Sequence, residues 1–117
     1  MNKKLEKIQE LQNEVSKWSD SQFDNGMFIP SRSIPISKHL QKESKELTEA
    51  IENYFKTGRY DNVMEELADV FILLLDVSCH IGSNVDALVT SAYNKLEINK
   101  SRKWGLPDKE GIVEHIK

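Results

Sequence analysis

The chain is poor in the residues that cross-link or interrupt a fold: its 117 residues include one cysteine, three prolines and five glycines. The single cysteine, Cys79, excludes an internal disulfide, and its apolar neighbours favour a buried structural thiol over a nucleophile. Most of the prolines and glycines fall at the predicted ends of helices or in one loop. The helices themselves are therefore expected to run without interruption.

The chain also lacks a strong charge of one sign and a long apolar run. Its net charge of −3 gives no electrostatic basis for wholesale binding to nucleic acid. The apolar run VFILLL, at residues 70–75, is far too short to span a membrane, and the charged start MNKKLEKIQE has no apolar stretch behind it. We therefore expect a cytoplasmic protein of one domain, residues 1–117, that binds neither a membrane nor nucleic acid.

The chain is rich in charge and in helical periodicity. Charged residues make up 30% of it and hydrophobic ones 38%, as in soluble helical proteins. Apolar residues recur at spacings of three or four from Leu5 to Trp18, which predicts an amphipathic helix over residues 2–19 with Trp18 in the core. Residues 20–34 show no sustained hydrophobic period, which predicts a loop. A loop of this length in a small domain is often functional.

Capping residues mark the next two helices. The second helix is predicted to begin at about Pro35, a residue suited to a first turn, and to end before Gly58. The third covers about residues 61–81, with Asp61 as its N-cap. Because it is apolar on most sides, it is expected to be the central, buried helix.

A fourth helix completes the predicted fold. It is expected to run from an N-cap at Ser83, with Asp86 placed as in a capping box, to about Lys103. Short turns join the second, third and fourth helices, so neighbouring helices should be antiparallel. The sequence predicts an all-α protein, an antiparallel helical bundle of about four main helices.

Two acidic pairs are the clearest candidates for a functional site. Glu43 and Glu46 lie three residues apart on the second helix, and Glu66 and Asp69 lie three apart on the third. Residues at this spacing share a helix face, so each pair forms a carboxylate cluster. Asp69 also opens the apolar run, where a lone charge would be costly.

The antiparallel arrangement should bring the two acidic pairs together. In an antiparallel hairpin, two residues that lie opposite each other have residue numbers that add to a constant. Glu43 with Asp69 and Glu46 with Glu66 give the same total, and its midpoint lies beside Gly58. Four converging carboxylates offer the oxygen ligands that suit Mg²⁺, and Mg²⁺ handles phosphates. We therefore expect a metal-dependent enzyme that acts on a nucleotide or another phosphate ester. Two solvated acidic faces are the alternative.

Several other side chains allow two interpretations. Lys95, Asn99 and Arg102 give one face of the fourth helix a basic and amide character, which a helix C-terminus favours by itself. His39, one turn before the first acidic pair, could approach a substrate or lie at the surface. Trp104 could stack on a base or pack in the core. A separate acid, Asp76, could support the metal site, contact a second subunit or be a buried acid paired with a basic side chain.

Longer segments around these residues resemble a known family. KESKELTEAI and EELADVFILLLDV resemble the MazG-like superfamily of all-α nucleoside triphosphate pyrophosphohydrolases. KLEINKSRKWGLPD with GIVEHIK, and WSDSQF with HLQKESKEL, are similar to its dATP/dGTP pyrophosphohydrolase branch. The resemblance covers nearly the whole chain.

The resemblance implies a fold, a reaction and a set of site residues. It implies hydrolysis between the α- and β-phosphates of a deoxynucleoside triphosphate, purine preferred, to the monophosphate and pyrophosphate. It also implies a homo-oligomer, most simply a dimer, with a tetramer as the alternative. The loop before the second helix and the tail would help to hold the base. Mg²⁺, with Mn²⁺ as an alternative, would be bound by Glu43, Glu46, Glu66 and Asp69. The phosphates would lie near Lys95, Asn99 and Arg102.

Other functions remain open from the sequence. A carboxylate-bridged di-iron bundle requires Glu-x-x-His motifs, and no histidine here lies three residues after a glutamate. A non-catalytic helical module that binds nucleotide is a second alternative, and hydrolysis of an alarmone or another pyrophosphate-containing nucleotide is a third. Nucleic-acid binding through NKSRKW is disfavoured by the acidic net charge. Either Glu43 or Glu46 could act as the general base.

Overall fold

The computed structural model describes residues 2–117 and contains four α-helices. α1 spans Lys3–Phe23, α2 spans Ser33–Thr57, α3 spans Asp61–His80 and α4 spans Val85–Ser101. A short 3₁₀ helix, Pro30–Arg32, directly precedes α2. No β-strand occurs within residues 2–117. The prediction of an all-α protein with four main helices is confirmed.

α1 is longer than the sequence predicts, because it continues past residue 19 to Phe23. Ser19 and Asp20 are buried, and both contact Arg32 from the following segment. These tertiary contacts favour helix where the local pattern favours a loop. The chain turns at Gly26, where φ is 81° and the N–H donates to the carbonyl of Asp20 at 2.9 Å.

A tight turn joins α2 to α3 and makes them a hairpin. Gly58 takes the left-handed conformation, with φ at 74°, and its N–H donates to the carbonyl of Tyr54 at 2.7 Å, as the predicted helix stop requires. Asp61 is not the N-cap, because α3 begins at Asp61 itself and follows Tyr60, whose side chain makes no cap. An acid in the first turn still complements the helix dipole.

The core around α3 is small and contains many polar groups. α3 packs against both α1 and α2. The amide of Gln12, which is 1% exposed, donates to the carbonyl of Leu75 at 3.0 Å and so joins α1 to α3. The buried hydrophobic side chains of the described residues are Val15, Ile36, Leu75 and Val85.

Three predictions about burial are wrong. Trp18 is 58% exposed and stacks edge-on against Phe23 rather than entering the core. α3 is buried only in its second half, since Phe71 and the apolar side chains on either side of it stay accessible. Cys79 is half-buried, and its Sγ donates to the hydroxyl of Ser16 at 3.2 Å. Sequence patterns identify apolar faces, but the elements that cover those faces are decided by tertiary packing.

The chain divides into two compact units, one up to Asp86 and one comprising Ala87–Lys117. The expectation of a single domain stays a prediction. α4 begins at Val85, so Asn84 rather than Ser83 occupies the N-cap position, and the hydroxyl of Ser83 instead donates to the Asn84 carbonyl at 3.4 Å. Within residues 2–117 no single helix is long and apolar enough to cross a membrane, although α3 and α4 would pass that test as a broken pair.

The tail of the second unit folds back on itself. Trp104 and His115 form an isolated antiparallel bridge, and their rings meet edge-on with centroids 5.8 Å apart. The N–H of Gly105 donates to the carbonyl of Glu114 at 2.9 Å, and Asp108 closes the turn by accepting two backbone hydrogen bonds at 2.8 and 2.9 Å. The tail is therefore ordered locally by its own hydrogen bonds.

Candidate active site

The hairpin of α2 and α3 brings three glutamates together. Glu43 and Glu46 lie one turn apart on α2, and Glu66 faces them from α3. A carboxylate oxygen of each lies within 4.8 Å of the other two, and all three side chains are half-buried. The two helices converge here because Gly58 turns the chain tightly enough to keep them antiparallel. We call this group the glutamate cluster.

Two oxygens of the glutamate cluster lack a partner within the described chain. Oε2 of Glu43 and Oε2 of Glu66 are both buried without a hydrogen bond. An unpaired buried carboxylate oxygen is costly, and a cation would remove that cost. A set of ligands made only of carboxylate oxygens fits a hard divalent cation such as Mg²⁺. The chemistry of the cluster is thus compatible with a resident metal.

The pKa of Glu43 is also consistent with a cation site at the glutamate cluster. The pKa of Glu43 is raised above its usual value, chiefly because its carboxyl can share a proton with that of Glu46. Burial and the negative charges of Glu46 and Asp69 raise this pKa further, while the hydrogen bond from His39 opposes them. Without a cation, Glu43 therefore holds a proton more tightly than an isolated glutamate does.

Asp69 lies beside the cluster but differs from its expected setting. Its side chain is exposed, so the apolar run that Asp69 opens does not bury its charge. It nevertheless lies close enough to Glu43 to affect its pKa. Both residues line a cavity of about 210 Å³, which we call the glutamate cavity; its walls are Trp18, His39, Glu43, Asp69, Ile72 and Leu73.

His39 links this cavity to a second one. Its Nε2 lies 3.1 Å from Oε1 of Glu43, one helical turn further along α2. The same imidazole lines a neighbouring cavity of about 290 Å³, which we call the loop cavity because the segment before α2 builds much of it. The walls of the loop cavity are Phe23, Asp24, Arg32, Pro35, Ile36 and His39.

A buried polar network behind the loop cavity was missed by sequence reasoning. We call it the Arg32 cluster, and its members are Ser19, Asp20, Asp24, Arg32, Asp76 and His80. The guanidinium of Arg32 pairs with Asp20 and Asp76, each at 3.7 Å, and with Asp24. Of the three roles that the sequence allows for Asp76, the structure shows a buried acid paired with a basic side chain.

His80 anchors the Arg32 cluster from α3. It is 0% exposed, with Nε2 at 2.7 Å from Oδ1 of Asp20 and Nδ1 at 2.8 Å from the carbonyl of Asp76. The ring of Phe28 stacks on it with centroids 4.9 Å apart. No local pattern gave a signal for this contact, because its partners are far apart in sequence. The network ties α1, α3 and the segment before α2 into one arrangement.

The remaining candidate residues belong to the second unit. Lys95 is exposed on α4, and Arg102 follows the end of that helix. Nη1 of Arg102 donates to Oδ1 of Asn99 at 3.2 Å, and the indole N–H of Trp104 donates to the carbonyl of Asn99 at 2.9 Å. The amide of Asn99 therefore orients the guanidinium, and its backbone orients the indole.

Comparison with known protein families agrees with the resemblance seen in the sequence. The model of the dATP/dGTP pyrophosphohydrolase family matches residues 11–117, which include every candidate site residue. The chain belongs to this family, and it is a hydrolase that acts on phosphoanhydride bonds of nucleotides. The comparison with curated proteins returned no match, and neither did the comparison with solved structures.

Proposed function

We propose that this enzyme hydrolyses a purine deoxynucleoside triphosphate between its α- and β-phosphates in a Mg²⁺-dependent reaction, releasing the monophosphate and pyrophosphate. The observation that carries the proposal is the glutamate cluster, in which two buried carboxylate oxygens lack a partner. Membership of the dATP/dGTP pyrophosphohydrolase family supports the choice of substrate. A triphosphate also carries the negative charge that a metal centre is suited to neutralise.

The metal would be held by Glu43, Glu46 and Glu66, with Asp69 beside them. When bound, Mg²⁺ supplies positive charge against the phosphates and helps to orient a water molecule. The chain contributes preorganisation, because the ligands stand on two helices fixed by a tight turn. Mn²⁺, which accepts the same oxygen ligands, is expected to substitute.

A glutamate of α2 would receive the proton of the attacking water. The water oxygen forms a bond to the α-phosphorus, the bond from that phosphorus to the α–β bridging oxygen breaks, and pyrophosphate leaves with the bond electrons. Glu43 and Glu46 are both candidates for the base. Both lie on α2 in the glutamate cluster, within reach of a water held by the metal.

Membership of the family supports a further feature of the site, positive charge close to the phosphates. Lys95 and Arg102 carry that charge, and Asn99 holds the Arg102 guanidinium in place. Arg102 is the better suited of the two cations because a guanidinium can bind phosphate oxygens in a bidentate manner. Trp104 would offer an aromatic face to the nucleoside.

Turnover of each of the common NTPs and dNTPs with Mg²⁺ tests the proposal, with the products identified by chromatography. We expect monophosphate and pyrophosphate, fastest from a purine dNTP, and loss of activity with EDTA. Glu46→Gln should abolish turnover, whereas Glu49→Gln, which changes an exposed acid on the same helix, should not. Nucleoside diphosphate plus orthophosphate would contradict the proposed bond cleavage. Activity restricted to an alarmone would show that the substrate is an alarmone and not a deoxynucleoside triphosphate.

A further inference from the structure

Arg32 and His80 lie opposite each other at the open end of the hairpin that α2 and α3 form. Their residue numbers add to the same total as those of Glu43 and Asp69. Nη2 of Arg32 lies 3.4 Å from Nε2 of His80, and Arg32 is the residue that directly precedes α2. The antiparallel register that brings the carboxylates together therefore continues to this end of the hairpin.

The contact between α2 and α3 leads from the glutamate cluster to the Arg32 cluster without a change of face. Arg32 lies eleven residues before Glu43. On α3, His80 lies eleven residues after Asp69. Eleven residues make about three helical turns, so the two members of each pair lie on the same side of their helix, about 16 Å apart along its axis. The two clusters therefore occupy one seam between the helices.

α2 has little apolar core of its own to hold it against α3. Across Ser33–Thr57, all of which the structure describes, Ile36 is the one buried residue. Ile36 lies about one turn after Arg32, at the same end of the helix. The side chains of the glutamate cluster are only half-buried. The position of α2 on α3 is therefore fixed mainly at its two ends, by the turn at Gly58 and by the contacts around Arg32.

The contacts of Arg32 are suited to fixing that position. Its guanidinium lies 3.7 Å from both Asp76 of α3 and Asp20 of α1, and it also pairs with Asp24. All four of these side chains are largely buried. The donors of a guanidinium form a rigid planar fork, so each of its partners must lie in a defined direction. Buried polar groups of this kind can fix the register of packed helices.

A Mg²⁺ site depends on the register of the two helices that carry its ligands. Mg²⁺ requires near-ideal octahedral geometry, with its oxygen ligands at about 2.0–2.1 Å. Glu43 and Glu46 belong to α2, and Glu66 belongs to α3. One helical turn is about 5.4 Å long, so a slide of α2 by a fraction of a turn would separate the two sets of ligands by more than that geometry allows.

We propose that Arg32 is a positioning residue for the metal site, and that its buried ion pair with Asp76 sets the register of α2 on α3. That register determines whether the glutamates of the two helices can bind one cation. This inference rests on the proposed function, because it takes the glutamate cluster to bind Mg²⁺. It assigns part of the control of metal affinity to residues about three helical turns away from the metal.

Mn²⁺ binding, measured from the EPR signal of the free ion, tests the proposal without nucleotide or turnover. Arg32→Lys keeps the charge but loses the planar fork, and Asp76→Asn keeps the size of the side chain but loses its charge. Neither variant leaves a group of acids without a cation, which could itself take up Mn²⁺. We expect each to bind Mn²⁺ about 2- to 30-fold more weakly than the wild type while circular dichroism stays helical. Wild-type affinity in both variants would overturn the proposal.

Two further variants separate positioning from a general loss of stability. Glu46→Gln should abolish Mn²⁺ binding, which would show that the measured ion is at the glutamate cluster; binding that survived it would overturn the proposal. Gln12→Ala removes the buried hydrogen bond to the carbonyl of Leu75, which joins α1 to α3 and not α2 to α3. It should lower stability in urea but keep the affinity for Mn²⁺. If Gln12→Ala weakened Mn²⁺ binding as much as Arg32→Lys does, general loosening would explain both and the proposal would fail.

A measurement on the wild-type protein decides the question even if a variant does not fold. If the ion pairs of Arg32 favour metal binding, bound metal must favour those ion pairs by the same factor. Mg²⁺ should therefore slow the exchange of the Arg32 Nε–H with water, as measured by NMR, by about 2- to 30-fold. An exchange rate that does not respond to saturating Mg²⁺ would overturn the proposal.

The metal titrations also separate this inference from the proposed function. Weaker Mn²⁺ binding by Arg32→Lys and Asp76→Asn, in a protein that hydrolyses no triphosphate, would support the positioning role and contradict the hydrolysis. Mg²⁺-dependent hydrolysis with wild-type Mn²⁺ affinity in both variants would support the reaction and overturn the positioning role. A wild-type protein that binds no Mn²⁺ would contradict both the proposed metal dependence and this inference.

Discussion

The imidazole of His39 and the carboxylate of Glu43 are joined along one face of α2, with Nε2 of His39 3.1 Å from Oε1 of Glu43. Glu43 has a raised pKa despite this contact, because Glu46, burial and Asp69 outweigh it. His39 is itself largely accessible, with 56% of its side chain exposed. The contact therefore couples the protonation of Glu43 to a residue that lines both the loop cavity and the glutamate cavity.

The stability of the metal-free protein should depend on pH through Glu43. A carboxyl whose pKa is raised on folding contributes stability below the usual pKa of a glutamate, and this contribution is lost as pH rises through the raised value. We expect the Tm without metal to fall across that interval. Mg²⁺ should offset the fall at neutral pH by binding the native state. Thermal unfolding from about pH 4 to about pH 8, with and without Mg²⁺, measures both effects.

Two variants test the origin of that pH dependence. Glu43→Gln should remove most of the fall in Tm, because it removes the group that titrates. His39→Ala should move the fall to higher pH, because the hydrogen bond from His39 lowers the pKa of Glu43. If the metal-free Tm of Glu43→Gln changed with pH as the wild-type Tm does, another group would be responsible.

Glu66 and Asp69 should both be required for turnover but should differ in their effect on stability. Glu66→Gln removes a buried carboxylate from the glutamate cluster, so it should raise the metal-free Tm by relieving repulsion. Asp69→Asn changes an exposed side chain and should leave that Tm nearly unchanged. Each variant should lower kcat/KM by about 100-fold or more while circular dichroism stays helical.

The control for this pair is Glu65→Gln, which changes the exposed neighbour of Glu66 on the same helix. It should retain activity and its response to Mg²⁺. Near-wild-type turnover by Asp69→Asn would remove Asp69 from the proposed metal site and leave the three glutamates that the structure brings together.

The Arg32 cluster should be a major source of stability for the first unit. Arg32→Ala would leave Asp20, Asp24 and Asp76 without their shared cation, and breaking a buried ion pair in this way costs about 3–5 kcal/mol. Urea denaturation should show this loss, with a smaller one for Arg32→Lys, which keeps the charge but not the planar fork. Arg59→Ala, at an exposed arginine, is the matched control. A loss no larger than that of the control would contradict the role of the cluster.

The success and failure of sequence reasoning have physical causes that are visible at particular residues. Four carboxylates were predicted to converge because a glycine stop at Gly58 makes α2 and α3 antiparallel, and helical geometry then fixes which residues are level. The structure groups three of them, Glu43, Glu46 and Glu66, and leaves Asp69 exposed beside them. His80 gave no signal, because a buried histidine is defined by partners from other elements rather than by its neighbours in sequence. Tertiary contacts decided its burial.

The exposed apolar face of α3 supports a prediction about assembly. Leu67, Phe71 and Leu74 recur at helical spacing and are 43%, 42% and 44% exposed. Apolar stripes of this kind mark interfaces. We expect a homo-oligomer with two-fold symmetry, most simply a dimer, that covers this stripe. Phe71→Glu should shift the mass measured by light scattering towards the monomer.

Lys4→Glu introduces the same side chain at the exposed start of α1 and should leave the mass unchanged. A wild-type monomer at micromolar concentration would refute the assembly, and a tetramer would show that a second surface takes part. If Phe71→Glu kept the wild-type mass, the interface would lie elsewhere on the chain.

Arg102 should act on the phosphates and not on the metal. Its guanidinium is oriented by Asn99, with Nη1 3.2 Å from Oδ1, and Arg102→Ala would remove a charge-assisted phosphate contact. We expect kcat/KM to fall by about 10- to 1,000-fold, while Mg²⁺ binding in the absence of nucleotide stays unchanged. Arg102→Lys should recover part of the loss, because it restores the charge without the planar guanidinium.

Lys109→Ala, at an exposed lysine of the tail, is the control. Equal losses in Arg102→Ala and Lys109→Ala would mean that the positive charge of this unit acts only at long range. In that case raising the salt concentration would weaken the wild-type enzyme to the same extent.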